Sequence, residues 1–403
     1  MEKIGKYITN YIKGKTPKVL FDSEMDDTLP YLSPVYLRGV AAPEFYAKHD
    51  AKSIVVDDGE VIVLWDGSNA GEILISKKGI LASTMTMLQF DETEINKAYF
   101  GYSFQNLEYI LKAKTAGSGI PHADKGVISK LEFYKPSPPE QTAIANILSK
   151  VDEAIASVQG SIAAAERLKK SLMQNLLTGR MKPDGTLRKE DEFYLDEKFG
   201  KVPLGWEVKR IDEIADFVQY GLNQASSETG NIPMFRMNNI VNGEMQNYPL
   251  VYVNLNDTAL RQYKLEKGDI LFNRTNSMDL VGKVGVFKLE GDFVFASYLI
   301  RIRVSKDNNP YFVNYALNSY PIQCSLRSKA TPAVSQANIN SKSLRVTSVL
   351  IPTEKWEQDE IVSKIEKIEL EINNKQQKIA TLERLKKSLM QNLLTGRVRV
   401  KTK

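Results

Sequence analysis

One cysteine, Cys324, and two histidines, His49 and His122, stand in 403 residues. A single thiol excludes an intramolecular disulfide and a cysteine-based zinc site. Two histidines exclude a multi-histidine metal centre within one chain. The lone thiol is expected to be buried rather than reactive, and so few cysteines fit a reducing cytoplasm. Long apolar runs are missing as well. No stretch reaches the ~18 residues of a membrane span, and the N-terminal MEKIGKYITNYIKGKTPKVL lacks the apolar centre of a signal peptide. Charge of one sign is scarce too: 54 Lys and Arg stand against 49 Asp and Glu, a net +5. That balance permits a nucleic-acid partner and does not require one.

What the chain does have is a repeat. Glu166–Arg180 reads ERLKKSLMQNLLTGR, and the same fifteen letters return at Glu383–Arg397, an offset of 217. Two copies indicate a duplicated half rather than a solenoid. At the same offset Glu140-Gln141 matches Glu357-Gln358, and Ile144, Ile155, Gln159, Ile162 and Ala163 match Ile361, Ile372, Gln376, Ile379 and Ala380. Apolar residues at Ile144, Leu148, Val151, Ile155, Val158, Ile162 and Ala165 alternate steps of four and three, a heptad seam. Ile361, Ile365, Ile368, Ile372, Ile379 and Leu382 repeat it, with Lys375 breaking the stripe. The seams continue through Leu168, Leu172 and Leu176, and through Leu385, Leu389 and Leu393. Each copy predicts a helix of about 60 Å at 1.5 Å per residue. Each ends in Leu-Thr-Gly-Arg, whose glycine suits the left-handed position after a helix.

Around these helices lie two non-repeated blocks. Residues 1–139 alternate short apolar runs with turn formers. Ser53–Trp65 reads as strand, turn, strand, and Glu72–Ser76 and Gly79–Ser83 as further strands about Lys77-Lys78. Asn96–Lys112 carries a helical pattern, and Thr115–Lys125 is a polar loop. Prolines close the block, and the first long helix spans 140–180. Residues 181–201 read as a polar linker with a Pro-Asp-Gly turn. The second block, 202–353, opens on Val202-Pro-Leu-Gly-Trp206 and leads to the second long helix, 354–397. Lys3-Ile4 aligns with Arg210-Ile211, Asp58–Trp65 with Lys267–Arg274, and Ile120–Asp124 with Val334–Asn338. The blocks therefore read as diverged copies of one mixed α/β domain with a mainly antiparallel, curved sheet. The fold class is α+β, a pseudo-twofold internal repeat. Its two seams are expected to pair antiparallel within the chain in preference to forming a dimerisation zipper.

Val202–Trp206, Lys267–Thr275 with Gly282–Phe287, Ile351-Pro352 to Glu357-Gln358, and above all the twice-used LKKSLMQNLLTG resemble the DNA-specificity subunit of type I restriction–modification enzymes. The resemblance covers essentially the whole chain. It implies two target-recognition domains, each reading one half of a bipartite, asymmetric site in double-stranded DNA. It also implies two antiparallel coiled-coil helices that measure the unread spacer and dock two modification subunits. Those subunits, similar to adenine-N6 methyltransferases, would bind S-adenosylmethionine. Restriction or translocase subunits, if present, would bring ATP and magnesium, and this chain itself would hold no cofactor. One departure stands out: the first block lacks the Pro-x-Gly-Trp that opens the second.

Base edges are read by paired donors and acceptors on loops. In the first domain that selects Ser68, Asn69, Lys77, Lys78, Ser118 and His122. In the second it selects Asn223, Gln224, Arg236, Asn238, Asn239, Arg274, Asn276 and Gln336. Each has a plainer reading as a turn former or a phosphate contact. The exposed pairs Lys169-Lys170 and Lys386-Lys387 are read either as a solvated face or as contacts for partner subunits.

Catalysis on this chain is not expected. A DNA amino-methyltransferase needs Asn/Asp-Pro-Pro-aromatic to hold a flipped base, and Asn308-Asn309-Pro310-Tyr311 has one proline. No Gly-x-x-x-x-Gly-Lys-Ser/Thr loop occurs. Glu207-Val208-Lys209 is too short to mark a nuclease. Two alternatives remain open at this level: a coiled-coil scaffold that binds proteins, and a diverged nuclease or methyltransferase.

Overall fold

The computed structural model describes residues 1–50, 52–114, 121–332 and 336–402. They fall into two units, Met1–Ser161 with Lys375–Lys403, and Ile162–Asn374. The long helices are Pro138–Leu177 and Lys355–Leu393. Each unit therefore holds the N-terminal part of one long helix and the C-terminal part of the other. The first begins two residues earlier than expected, because prolines fit the first turn, where the N–H has no helical partner.

In unit 1, Ile8–Lys13, Met85–Phe90, Val61–Leu64 and Ile73–Ile75 form an antiparallel sheet in that order. Val61, Ile62 and Val63 are fully buried, so the central strand is apolar on both faces. Asn96 caps the helix Lys97–Gln105, which buries Tyr99, Phe100 and Phe104. Phe100 stacks on Phe90 of the sheet, ring centroids 4.2 Å apart. The single helix expected over Asn96–Lys112 is in fact two, broken before Glu108–Lys114.

Unit 2 repeats the order with Ala215–Tyr220, Leu299–Val304, Ile270–Asn273 and Val284–Val286, then adds Glu244–Met245 and Ile240–Val241. Both edge strands carry a register shift at the same place, Ile8/Asn10 and Ala215/Phe217. Both then run into a glycine with no room for a side chain. A Cβ on Gly14 would lie 2.1 Å from the Ala82 carbonyl oxygen, and one on Gly221 2.3 Å from that of Ala296.

The register between the blocks needs one correction. Ala123 N–H donates to the Trp65 carbonyl (2.8 Å) and Ile339 N–H to that of Arg274 (2.9 Å). Asp124 and Asn340 then cap the next helices, Lys125–Lys130 and Ser341–Arg345. His122 thus matches Asn338, two residues away from the alignment drawn on sequence alone.

The ends of the long helices are locked by one device used twice. Gln141 and Gln358 are fully buried. Their side-chain oxygens accept the N–H of Asn96 (2.8 Å) and Asn309 (2.7 Å), and their amides donate to Pro136 and Pro352 carbonyls. Glu357 accepts from Arg188 and from the Trp206 indole, and Glu140 accepts from Arg399. The Trp206 missing from the first block has a stand-in: Tyr134 packs under Gly396 as Trp206 and Pro203 pack under Gly179. Both glycines have positive φ, +66° and +73°. The 181–201 stretch is folded into unit 2, with Phe193–Asp196 paired to Gly200–Pro203.

Within each unit the two helices run antiparallel, and the same triad ties them to the domain. Tyr102 donates to Asp152 (2.7 Å), which also meets Lys386 (2.7 Å). Tyr315 donates to Glu369 (2.7 Å), which meets Lys169 (2.6 Å). Burial is the main cause that pushes both phenols well above their ordinary pKa, with the carboxylates adding to it. The seam residues are buried or half-buried, except Leu168 and Leu385, which are 53% and 47% exposed.

Candidate nucleic-acid interface

Each sheet ends in a corner where its central strand, its edge strand and a returning segment meet. Four positions there are equivalent in the two units: Lys13 and Tyr220, Trp65 and Arg274, Asp66 and Thr275, His122 and Asn338. The backbone is the same and the chemistry is not. In unit 1, Asp66 accepts from His122 Nδ1 (2.6 Å) and from Lys13 Nζ (3.2 Å). Burial works to raise the Asp66 carboxyl, but those two bonds outweigh it and hold the group below its ordinary value. Trp65 stands edge-on to Tyr11, and Lys125 lies 4.8 Å from the Tyr11 ring centroid. In unit 2, the Arg274 guanidinium lies 4.9 Å from the Tyr220 ring centroid. Its terminal nitrogens reach the Ser297 carbonyl and Asn338 Oδ1 only at 3.4 and 3.5 Å, and its buried Nε has no partner among the described residues.

The corners gather some of the sequence candidates and leave others out. Ser68 and Asn69 are exposed beside His122, where Gly67 N–H donates to the Pro121 carbonyl (3.2 Å). Lys77 and Lys78 sit at the far end of the same hairpin, since Val61 pairs with Ile75 and Val63 with Ile73. Lys77 is also engaged, 4.3 Å from the Tyr36 ring centroid. Ser118 lies outside the described residues. In unit 2, Asn276 pairs with Ala337 next to the exposed Gln336, so both join Arg274. Exposed Asn223 follows Leu222, whose carbonyl accepts from Ser297 N–H, while Gln224 turns its amide to the Asn254 carbonyl. Arg236 and exposed Asn238 lie on a separate turn, Met237–Asn239. Asn239 is corrected: it is fully buried, accepts from Arg236 N–H and donates to the Gln246 and Pro249 carbonyls. A saturated buried amide holds the turn and has nothing left for a base.

The family model for the type I restriction modification DNA specificity domain matches residues 6–167 and 203–384. The chain belongs to the type I restriction–modification DNA specificity subunits. The MjaVIII specificity subunit of Methanocaldococcus jannaschii is 32% identical over 99% of this chain and 92% of its own length. The MjaIX specificity subunit of the same organism is 25% identical over 96% and 90%. Among solved structures, the S subunit from M. genitalium superposes with a TM-score of 0.59 over 98% of this chain and 95% of its own, at 15% identity, a likeness of fold. Members of this family are the DNA-recognition components of restriction–modification complexes, not their catalytic ones.

Local geometry in this specificity subunit gives the weak catalytic motifs structural work. Asn309 is the cap of the helix Pro310–Asn318 and accepts from Tyr311 and Phe312 N–H. Glu207 and Lys209 form an ion pair with each other (2.7 Å). Cys324, expected inside, is exposed: its helix buries Ile322, Gln323 and Leu326 instead. Among the described residues no group of three or more His, Cys, Asp or Glu is placed to hold a metal. No helix among them is long and apolar enough to cross a membrane.

The four repeat lysines split into two kinds. Lys169 and Lys386 are half-buried in the triads that join the helices, which corrects the expectation that they are exposed. Lys170 and Lys387 are exposed, on a face shared with Arg167, Leu168, Ser171 and Gln174 in one copy and Arg384, Leu385, Ser388 and Gln391 in the other. Four of the corner residues, Lys13, Tyr220, Thr275 and Asn338, stand outside the candidates read from the sequence. A signal existed: the alignment of Lys3-Ile4 with Arg210-Ile211, carried forward without a gap, sets Gly14 on Gly221 and so Lys13 on Tyr220.

Proposed function

We propose that each unit reads one half of a bipartite, asymmetric site in double-stranded DNA, and that the repeat faces seat two copies of a modification subunit. One contrast carries the reading. Equivalent corners bear different donors and acceptors, whereas the exposed helix faces bear the same side chains. Different base readers on one scaffold suit two unlike half-sites. Identical faces suit two identical partners. The modification subunits would bind S-adenosylmethionine and methylate adenine N6, and any restriction subunits would supply ATP- and magnesium-dependent cleavage. The reading places the complex in the cytoplasm, with the long helices setting the spacer between half-sites. The base-reading set is Ser68, Asn69 and His122 with Lys13 and Asp66 in one unit, and Arg274, Asn276, Gln336 and Asn223 in the other.

The test is to co-express the chain with its modification subunits and map methylated adenines genome-wide. A gapped motif is expected. Replacing residues 202–353 with another domain of this family should change one half of that motif. A change in both halves would refute the modular assignment. The purified chain should bind the motif with an affinity that falls steeply with salt, and should not methylate DNA alone.

A further inference from the structure

Arg274 is a cation without a counter-ion on a fixed seat. Among the described residues no carboxylate pairs with it. The aromatic ring beneath it is itself held, because the Tyr220 hydroxyl accepts the Ser341 N–H at 2.9 Å. Asn338 is held in turn: its amide donates to Thr275 Oγ1 at 2.9 Å, which turns Oδ1 toward the guanidinium. Arginine carries five N–H donors in a rigid fork. Here the two terminal contacts are at the limit of hydrogen bonding, and Nε has none among the described residues.

Such a group is set up for a ligand that offers two acceptors side by side. Among base edges in the major groove, guanine does so with O6 and N7, and the arginine fork matches them bidentately. A backbone phosphate would also take the charge. Phosphate contacts, however, do not need a guanidinium oriented from three sides by a ring, a carbonyl and an amide. The equivalent place in unit 1 is Trp65, and the polar tips around it are already engaged, Lys13 and His122 both donating to Asp66. Whatever Arg274 reads has no counterpart there.

We propose that Arg274 reads the guanine of one G·C pair in the half-site of unit 2, with Tyr220 and Asn338 as positioning residues. This rests on the DNA-reading function argued above. The test uses the full chain with its modification subunits. The methylated motif is mapped for the wild type and for Arg274→Ala, Arg274→Lys, Tyr220→Ala and Tyr220→Phe. Each is also titrated against the motif duplex, a duplex with that G·C pair changed to A·T, and a scrambled duplex, over a range of salt.

Arg274→Ala is expected to relax one G·C position in one half of the motif. Discrimination between the first two duplexes should fall on the order of 10- to 100-fold, with the salt slope little changed. Arg274→Lys, which keeps the charge and loses the fork, should lose discrimination as well. Tyr220→Ala should lower it and Tyr220→Phe restore it. The proposal is overturned if Arg274→Ala keeps the G·C preference and weakens all three duplexes alike with the salt slope reduced by about one, the mark of a phosphate contact. It is also overturned if Tyr220→Ala discriminates like the wild type. A wild-type chain that yields no gapped motif overturns the functional reading and this proposal together. A wild-type motif unmoved by any of the variants overturns this proposal alone.

Discussion

Replacing Arg188 by alanine should destabilise unit 2 more than any other single change in its connecting stretch. Arg188 lies between three parts of that unit. It donates to the Gly179 carbonyl at the end of the first long helix (2.7 Å) and to Glu357 at the start of the second, and it lies 5.7 Å from the Trp206 ring centroid. Both charged side chains are buried, 7% and 10% exposed, so solvent does little to screen the pair. Removal leaves Glu357 with the Trp206 indole at 3.1 Å as its remaining side-chain donor. Breaking a buried pair this way costs about 3–5 kcal/mol, mostly because the surviving charge is uncompensated. For a unit of this size about 2–4 °C of Tm accompanies each kcal/mol, which gives a fall of about 6–20 °C. Calorimetry of the full chain would show it as a shift of one transition. The double change Arg188→Met with Glu357→Met, which removes both charges, should recover much of the loss. A loss under about 1 kcal/mol for Arg188→Ala, or additive costs in the double-mutant cycle, would refute the argument that burial makes this pair strong.

Gly160 lies mid-helix with open space around it, whereas Gly179 has φ +66° and a Cβ there would lie 2.3 Å from Pro203 Cγ. Gly160→Ala should therefore stabilise by about 0.5–1 kcal/mol and Gly179→Ala should destabilise by more than that in denaturant titrations. Glu140 is held below its ordinary value of 4.5, chiefly by the Arg399 hydrogen bond, against the opposing effect of burial. A carboxyl depressed in the folded state contributes stability above its unfolded pKa and loses it as pH falls through the folded one. Unit 1 should thus weaken as pH drops below about 4.5, and Glu140→Gln should flatten that acid limb, read from unfolding midpoints between pH 7 and 3. Inserting one helical turn into 155–163 should lengthen the tolerated spacer in the methylated motif, and an unaltered spacer with full activity would sink the ruler.

The helices were the most legible part of the chain, because a heptad of Ile, Leu and Val over forty residues has no competing reading. Even the left-handed glycines followed from Leu-Thr-Gly-Arg. The strands were legible only where β-branched residues run together, as in Val61-Ile62-Val63. Ile8–Lys13 gives no such signal because Thr9, Asn10 and Lys13 interrupt it as a half-exposed edge. Met85–Phe90 gives none either, because Met and Leu favour no strand by propensity, and its burial on both faces removes alternation. The corner was harder still. Lys13 and His122 are 109 positions apart in the chain, and only the pairing of Asp66 with His122 and of Lys13 with Thr86 brings them to one place. Turn chemistry alone could not separate Asn239, which holds a turn, from Asn238, which is exposed beside it. Both are polar residues in a loop, and the difference is made by the carbonyls of Gln246 and Pro249, which Asn239 alone meets.

The identity of the two helix repeats has two separate physical sources, and separating them bears on partners. Lys169 and Lys386 must each meet a carboxylate on the other helix, Glu369 and Asp152, under a tyrosine of the adjoining domain. Gly179 and Gly396 must each clear an aromatic ring, Trp206 and Tyr134. These positions are fixed by contacts inside the chain, so their repetition says nothing about anything outside it. Yet even there the fold tolerates variation, since Asp replaces Glu in one triad and Tyr replaces Trp under one glycine. Arg167, Lys170, Ser171 and Gln174 are exposed, and so are Arg384, Lys387, Ser388 and Gln391. Substitutions on such a face cost the fold little, commonly within about 0.5 kcal/mol. The fifteen identical positions thus include exposed side chains that the fold does not fix, beside internal contacts that it does. Folding accounts for the repetition of the internal contacts and not for that of the exposed side chains. Under the function proposed above, one modification subunit that fits both faces would supply the missing constraint. Exposed Leu168 and Leu385 would then offer that subunit apolar surface to bury beside the basic side chains.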